Sequence, residues 1–177
     1  MTQAVLRTPR ITLLPLADEH VDHEVELDSD PAVMRYLDVR PCRRSVVVER
    51  HRRRLAAASA GLGYWAGFTA GRFAGLWILE PWVAVGEAEL GYRLLPRYWR
   101  RGLASEGSRE LLRHGFTDLG VRRVFAETMA VNTASRATMV SLGMWHIGTR
   151  FPEFEQPIAG SEQGEVRYVL TREEWFR

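Results

Sequence analysis

The stretch LGYRLLPRYWRRGLASEGSRELLRHGF, Leu90–Phe116, concentrates residue types that can hold an anion. An apolar run stops at Pro96, a loop over 97–103 follows, and helical spacing sets in at Ala104. The first turn of a helix carries backbone N–H groups with no intrahelical acceptor, and these act with the helix dipole to attract phosphate. Gly102 removes a side chain where a ligand would press on the backbone. Ala104 keeps the first turn small, Ser105 follows it, and Arg97, Arg100 and Arg101 add positive charge. That combination suits a pyrophosphate. A Walker A loop is excluded, because it needs Gly-Lys-Ser/Thr and the chain has no lysine. A dinucleotide-binding turn needs three spaced glycines, and the spacing supplies only Gly102. On composition alone, an ordinary strand–loop–helix turn with exposed arginines stays open beside the cradle.

Other residue types carry weaker signals. Cys42 is the single cysteine, so no internal disulfide forms, and no Cys/His spacing suggests a metal. The arginines between Arg43 and Arg54 lie on a helical pattern, which fits a solvated face or a surface for nucleic acid or a ribosomal partner. His114 and His146 read as packed or surface residues. Trp82 and Trp145 are the tryptophans best placed to wall an acceptor site.

The bulk properties frame these readings. At 177 residues and 46% hydrophobic, the chain is expected to form one domain, 1–177, with a real core. No apolar run approaches the ~20 residues of a membrane helix. The N-terminus lacks the order of a signal peptide, so a cytoplasmic location is expected. A net charge of +2 does not by itself imply nucleic acid.

The elements that must position these groups follow from periodicity and punctuation. Residues 10–16 read as a first strand, 18–27 as a helix with Asp18 as N-cap, and 30–37 as a short helix capped by Asp30 with Pro31 at its first position. Ser45 is placed as the cap of a helix over 46–60. Residues 64–79 read as a hairpin about TAGR, and 86–95 and 122–130 as further strands. A helix over 104–119 and a second over 132–142 follow on apolar spacing, the latter opening on Asn132 and closing on Gly143. Segments 144–151 and 164–171 read as closing strands. Hairpins followed by strand–helix alternation predict an α/β (α+β) sheet with one parallel pair where helix 104–119 crosses over.

With those elements placed, Tyr98-Trp99-Arg100-Arg101-Gly102-Leu103-Ala104 resembles the acetyl-CoA-binding motif of the GNAT superfamily of N-acetyltransferases. The branch it most resembles holds the ribosomal-protein N-terminal (RimJ/RimL-like) enzymes, whose version reads Tyr-Trp-Gly-Lys-Gly-Tyr-Ala. Arg100 stands where that branch often has glycine. LRTPRITLLPL, DPAVMRYL, VNTASRATMVSLGM and VRYVLTREEW resemble other segments of the branch in the same order. The resemblance implies a GNAT fold: a mixed, mostly antiparallel sheet of six to seven strands with helices on both faces.

It also implies acetyl transfer from acetyl-CoA to a primary amine by direct attack on the thioester, with no enzyme nucleophile and no metal. An amine of pKa near ~10 is neutral in only about one molecule in a thousand at pH 7, which costs roughly 4 kcal/mol without a base. An α-amine, nearer ~8, costs about 1 kcal/mol. Glu89 is the first candidate for the base, and Glu127 or a water molecule the alternatives. Ser135 resembles the family's thiol-proximal serine, and Asn132 the residue that orients pantetheine or a water; both also suit a helix cap. The oxyanion donor maps to the backbone N–H of Leu94 or Leu95. Arg97, Arg100, Arg101, Gly102, Leu103, Ala104 and Ser105 are implied to hold the diphosphate. A homodimer is suggested by family analogy. The competing reading is a non-catalytic CoA-binding module, or an adaptor using Arg43–Arg54. Acceptor choice is expected to lie in segments 28–45, 80–86 and 145–165.

Overall fold

The structure is a computed structural model and describes residues 2–37, 42–153, 156–158 and 160–177. Strands β1 (Leu6–Arg7) and β2 (Thr12–Pro15) lead to helices α1 (Val21–Asp28), α2 (Pro31–Met34) and α3 (Arg44–Ala57). Strands β3 (Gly63–Thr69), β4 (Arg72–Pro81) and β5 (Glu87–Leu94) follow, then helix α4 (Leu103–Thr117). Strand β6 (Arg123–Met129), helix α5 (Thr133–Ser141), strands β7 (Trp145–Arg150) and β8 (Glu165–Thr171), and helix α6 (Arg172–Trp175) complete the chain.

All the strands join one eight-stranded sheet in the order β1-β2-β3-β4-β5-β6-β8-β7. Every neighbouring pair is antiparallel except β5 and β6. Eight strands replace the expected six to seven. The reason is local: Thr8 donates its N–H to the Ile11 carbonyl at 2.9 Å, turning the chain so that Leu6–Arg7 pairs as an extra strand ahead of the expected first one.

Several boundaries differ from expectation. Asp18 opens a 3₁₀ turn, Asp18–His20, and α1 starts only at Val21. Helix α3 starts at Arg44, so Ser45 lies inside it, and Arg43 occupies the cap without a side-chain hydrogen bond. It stops at Ala57 because Ala58 turns extended and Ser59 bridges to Leu62, steering the chain into β3. Asp30 does cap α2, accepting from Ala32 N at 2.8 Å and Val33 N at 3.3 Å. Asn132 likewise caps α5, and Gly143 takes the left-handed conformation just after it.

Strand alternation sends two sets of side chains to opposite sides. Trp65 and Trp77, paired across β3 and β4, are fully buried in the core that α4 covers. Helix α4 buries Leu111, Leu112 and Phe116 and meets the sheet through small residues. A Cβ on Gly107 would stand 2.4 Å from the Trp77 Nε1, which donates to the Ala104 carbonyl at 3.3 Å. On the opposite face Arg93 of β5 reaches Asp28 of α1 at 2.8 Å. Helices therefore cover both faces.

Gly107→Ala is expected to destabilise the fold by about 1–2 kcal/mol, because overpacking outweighs the better helix propensity of alanine. Urea denaturation followed by tryptophan fluorescence measures it, and an unchanged midpoint would show that Trp77 can move aside.

Candidate active site

The loop between β5 and α4 holds two residues in the left-handed region, Arg100 at φ 55° and Gly102 at φ 74°. Glycine adopts that region freely, whereas a side chain makes it costly by roughly 1–2 kcal/mol. Arg100 thus keeps a glycine-like backbone with a long side chain on it. Gly102 is the N-cap of α4, no side chain caps the helix, and its first intrahelical bond is Glu106 N–H to the Gly102 carbonyl at 3.0 Å. The N–H groups of Leu103, Ala104 and Ser105 precede that bond and have no intrahelical acceptor.

A buttress built from distant residues holds this turn in place. Glu106, in the first turn of α4, accepts from Thr8 Oγ1 at 2.6 Å, Arg10 N at 3.0 Å and Arg10 Nε at 2.6 Å. Arg10 Nη1 also donates to the Arg101 carbonyl at 2.9 Å. Burial alone would raise the Glu106 carboxyl, but these donors hold it below its ordinary range. The one acid in the first turn is therefore neutralised by the β1–β2 hairpin. Nothing local could have revealed this, since the partners lie more than ninety residues apart.

The flanking arginines separate. The Arg97 guanidinium bonds Glu26 of α1 at 2.8 Å and lies 5.2 Å from the Tyr98 ring centroid, so it is drawn towards α1. Arg101 lies against the same Tyr98 ring, at 5.9 Å. Arg100 and Arg101 are both exposed beside the helix terminus. Ser105 Oγ meets Ser141 Oγ at 3.0 Å, tying α4 to α5.

The two expected oxyanion donors are distinguished by the ladder. Leu95 N–H is spent on the Ala74 carbonyl of β4 at 2.9 Å, and this removes Leu95 as a donor. Alternation then turns the backbone groups of Leu94 and Tyr92 away from β4, towards β6. Parallel pairing of β5 with β6 runs only from Glu87 opposite Arg123 to Glu89 opposite Phe125. Beyond it the two strands part, leaving Leu94 N–H and the Tyr92 amide on an open edge. The Leu94 carbonyl accepts from Trp99 Nε1 at 2.7 Å.

Helix α5 approaches this edge. Asn132 Oδ1 accepts from Ser135 N at 3.3 Å and its amide donates to Thr128 Oγ1 at 3.0 Å. Ser135 Oγ lies 3.0 Å from the Tyr92 hydroxyl. No tyrosine is present on α5 itself, yet one arrives from β5. Its alternation with Leu90 was legible, but only the fold brings it to Ser135. Burial raises the Tyr92 phenol above its ordinary range.

Glu89 marks the point where β5 and β6 diverge. Burial lifts its carboxyl to about 7, and the neighbouring Glu127 and Glu80 push the same way against Arg167 and Arg150. A carboxylate of that strength is matched to proton exchange near neutrality. Glu127 is differently placed, because Arg150 and Arg167 both bind its oxygens. Arg167 also lies over the rings of Trp82 at 5.4 Å and Phe125 at 5.6 Å. An anion-binding helix terminus, an open strand edge and a neutral-range carboxylate thus lie along β5 and its continuation. That arrangement can hold a diphosphate-bearing thioester and deprotonate an amine. The family model described as acetyltransferase (GNAT) domain matches residues 10–145.

The chain belongs to the GNAT acetyltransferases.

It is 40% identical over 187 aligned residues to the FsC-acetyl coenzyme A-N(2)-transacetylase of Aspergillus fumigatus, covering 99% of this chain and 79% of that protein. Among solved structures, the ribosomal L7/L12 α-N-protein acetyltransferase RimL, in complex with coenzyme A, has a similar fold. Its TM-score is 0.82 at 16% identity, over 95% of this chain and 98% of that one. Spermidine N-acetyltransferase from Vibrio cholerae, in complex with CoA and spermine, gives 0.81 at 18% identity over 96% and 100%.

In this GNAT acetyltransferase the arginine-rich helix is not a free basic stripe. Arg54 is buried, bound to Glu24 and to Asp28, the latter at 2.8 Å. Arg44 pairs with Asp22 at 2.6 Å, and Arg52 and Arg53 with Glu49 at 3.9 and 3.3 Å. His51 is buried between Glu24 and Asp18. Trp82 packs 6.1 Å from Phe125 on the Glu89 face, whereas the Trp145 indole donates to Glu174 at 3.0 Å. His114 is buried and bonds Asp118 at 2.7 Å, and His146 packs beside Tyr168. Among the described residues no cluster is arranged to hold a metal and no helix is long and apolar enough to cross a membrane. Of the segments expected to choose the acceptor, residues 38–41, 154, 155 and 159 lie outside the described residues.

Arg100→Gly is expected to keep the loop and leave the thermal midpoint unchanged or higher, because up to about 1 kcal/mol of left-handed strain is relieved. Scanning calorimetry checks it. A clear loss of stability would mean that the Arg100 side chain holds the loop.

Proposed function

We propose that this enzyme transfers acetyl from acetyl-CoA to an α-amine, a nitrogen on carbon 2 of its acceptor, by direct attack on the thioester. The observation that carries this reading is Glu89, a carboxyl of neutral strength at the apex of the opening between β5 and β6. The 40% identity to a protein named as an N(2)-transacetylase supports the position of the nitrogen. So does the energetics: an α-amine needs only about 1 kcal/mol of deprotonation at neutral pH, within reach of a single weak base. A protein N-terminus and a small amino compound both present such a nitrogen, and kinship with the RimJ/RimL-like branch is part of the proposal. The 177 residues are taken to act as one domain.

In this reading the N–H groups of Leu103, Ala104 and Ser105, with Gly102, Arg100 and Arg101, bind the diphosphate. Arg97 acts at longer range, its guanidinium being held by Glu26. Acetyl-CoA supplies an activated acyl group with a thiolate as leaving group. Leu94 N–H donates to the carbonyl oxygen as charge develops there. Glu89 takes the ammonium proton, freeing the nitrogen lone pair. Ser135, set by Asn132 and touched by Tyr92, stands where it can return a proton to the thiolate.

Titration calorimetry with acetyl-CoA, and thiol release over amines differing in nitrogen position, test the proposal. Glu89→Gln is expected to lower kcat on the order of a hundredfold while acetyl-CoA affinity stays within about twofold. The limb of kcat/KM that rises with pH through about 7 is expected to vanish in the same variant. Preference for side-chain amines over α-amines would overturn the choice of acceptor.

Stability gives an independent sign. A carboxyl raised in the folded state favours folding below its unfolded pKa, and that contribution is lost as pH rises through the folded value. Wild type is therefore expected to lose stability relative to Glu89→Gln from the ordinary carboxylate range up to about 7. Thermal midpoints of the two proteins in a pH series read it.

A further inference from the structure

Antiparallel pairing of β4 with β5 sets Glu80 directly opposite Glu89. Residues so placed project to the same face with Cβ atoms about 4.5–5.5 Å apart, and like charges there repel. The groups facing Glu89 come from every strand around it. They are Glu87 and Arg93 on its own strand, Tyr64 on β3, Glu80 on β4, Arg123 and Glu127 on β6, Arg150 on β7, and Glu165 and Arg167 on β8, with Asp28 of α1 and Arg54 of α3, themselves ion-paired, packed over Arg93 and Tyr64.

The cations in this set are engaged with other acids. Arg150 and Arg167 bind Glu127, and Arg93 binds Asp28, while Glu87 is paired with Arg123. Among the described residues no guanidinium forms an ion pair with Glu80 or Glu89. Tyr64, opposite Ile78 in the β3–β4 ladder, is the nearest phenol to Glu80, and burial, followed by the Glu80 charge, drives it above its ordinary range. A neutral phenol does not cancel that charge. A guanidinium in the same place would neutralise Glu80 and leave Glu89 a weaker base.

We propose that Glu80 is a positioning residue whose carboxylate, facing Glu89 across the ladder with no guanidinium paired to it among the described residues, keeps Glu89 ready to take the proton of an ammonium acceptor. The inference rests on the reading of Glu89 as base. In the step, the acceptor N–H bond breaks and a Glu89 O–H bond forms. The nitrogen keeps the electron pair with which it attacks the thioester. Glu80 exchanges no proton and acts through its charge.

The test compares kcat/KM against pH for the full-length wild type, Glu80→Gln, Tyr64→Phe and Glu89→Gln, with an α-amine acceptor and saturating acetyl-CoA. Glutamine keeps the size and shape of the side chain while the charge goes. In Glu80→Gln the rising limb is expected to move to lower pH by about half a unit or more, with a plateau several-fold lower. Tyr64→Phe removes the neighbouring hydroxyl and leaves the Glu80 charge, so the limb is expected to stay where it is. Titration of ¹³C-labelled glutamate carboxyls reads the Glu89 midpoint directly, even where a variant turns over too slowly. A midpoint unmoved in Glu80→Gln, whatever the loss of rate, overturns the role of Glu80. A limb still centred near 7 in Glu89→Gln, rather than at the ~8 of the acceptor amine, overturns the reading of Glu89 as base, and the two failures are distinguishable.

Discussion

The parting of β5 from β6 is the constraint on which the site depends. Two parallel strands remain hydrogen-bonded only while their registers agree, and here agreement ends with Glu89 opposite Phe125. Each strand is held on its far side, β5 by β4 and β6 by β8, so the sheet stays whole while a gap opens in its middle. Unpaired backbone groups in a protein interior are costly. A gap lined by them is stable because one side faces solvent and because a ligand with its own amides can pair there. The Trp99 indole already meets part of this need at the Leu94 carbonyl.

The helix terminus beyond the gap is shaped by packing elsewhere. Helix α4 can lie close to the sheet because Gly107 leaves room for Trp77, and that closeness brings Leu103–Ser105 to the end of β5. The β1–β2 hairpin then fastens the first turn through Thr8, Arg10 and Glu106. Without Arg10, Glu106 would oppose an anion at the same terminus. The short hairpin that adds an eighth strand thus braces the first turn of α4 as well as extending the sheet.

The other face carries charge in pairs. Glu24, Asp28, His51, Arg54 and Arg93 form a buried network that joins α1, α3 and β5. Breaking one partner of such a network leaves an uncompensated buried charge, which is strongly destabilising. The network explains an arginine-rich helix without a nucleic-acid partner, since much of its charge is met by acids of the same domain face. It also explains why Glu80 and Glu89 stand apart: nearby arginines are held by other carboxylates.

Much of the local structure was legible in the residues. Pro31 after Asp30, Asn132 before a helical run, Gly143 after it and Ala70-Gly71 between apolar strands each impose a backbone choice on their own neighbours. The anion-binding turn was legible for the same reason: Gly102 and the start of α4 are adjacent in the chain. Ser45 misled because a capping residue competes with the helix that continues through it, and tertiary packing decides where that helix begins. Long-range partners were not legible at all. Arg97 looked like a phosphate ligand until Glu26 stood beside it, and Glu80, Tyr92 and Arg10 acquire their roles only from register and packing. The sequence by itself determined most of the elements and the strand–loop–helix turn to which diphosphate binding is proposed, because those depend on bonds between near neighbours. Only the tertiary structure decided which carboxyl stays unpaired, since that depends on charges brought together across strands.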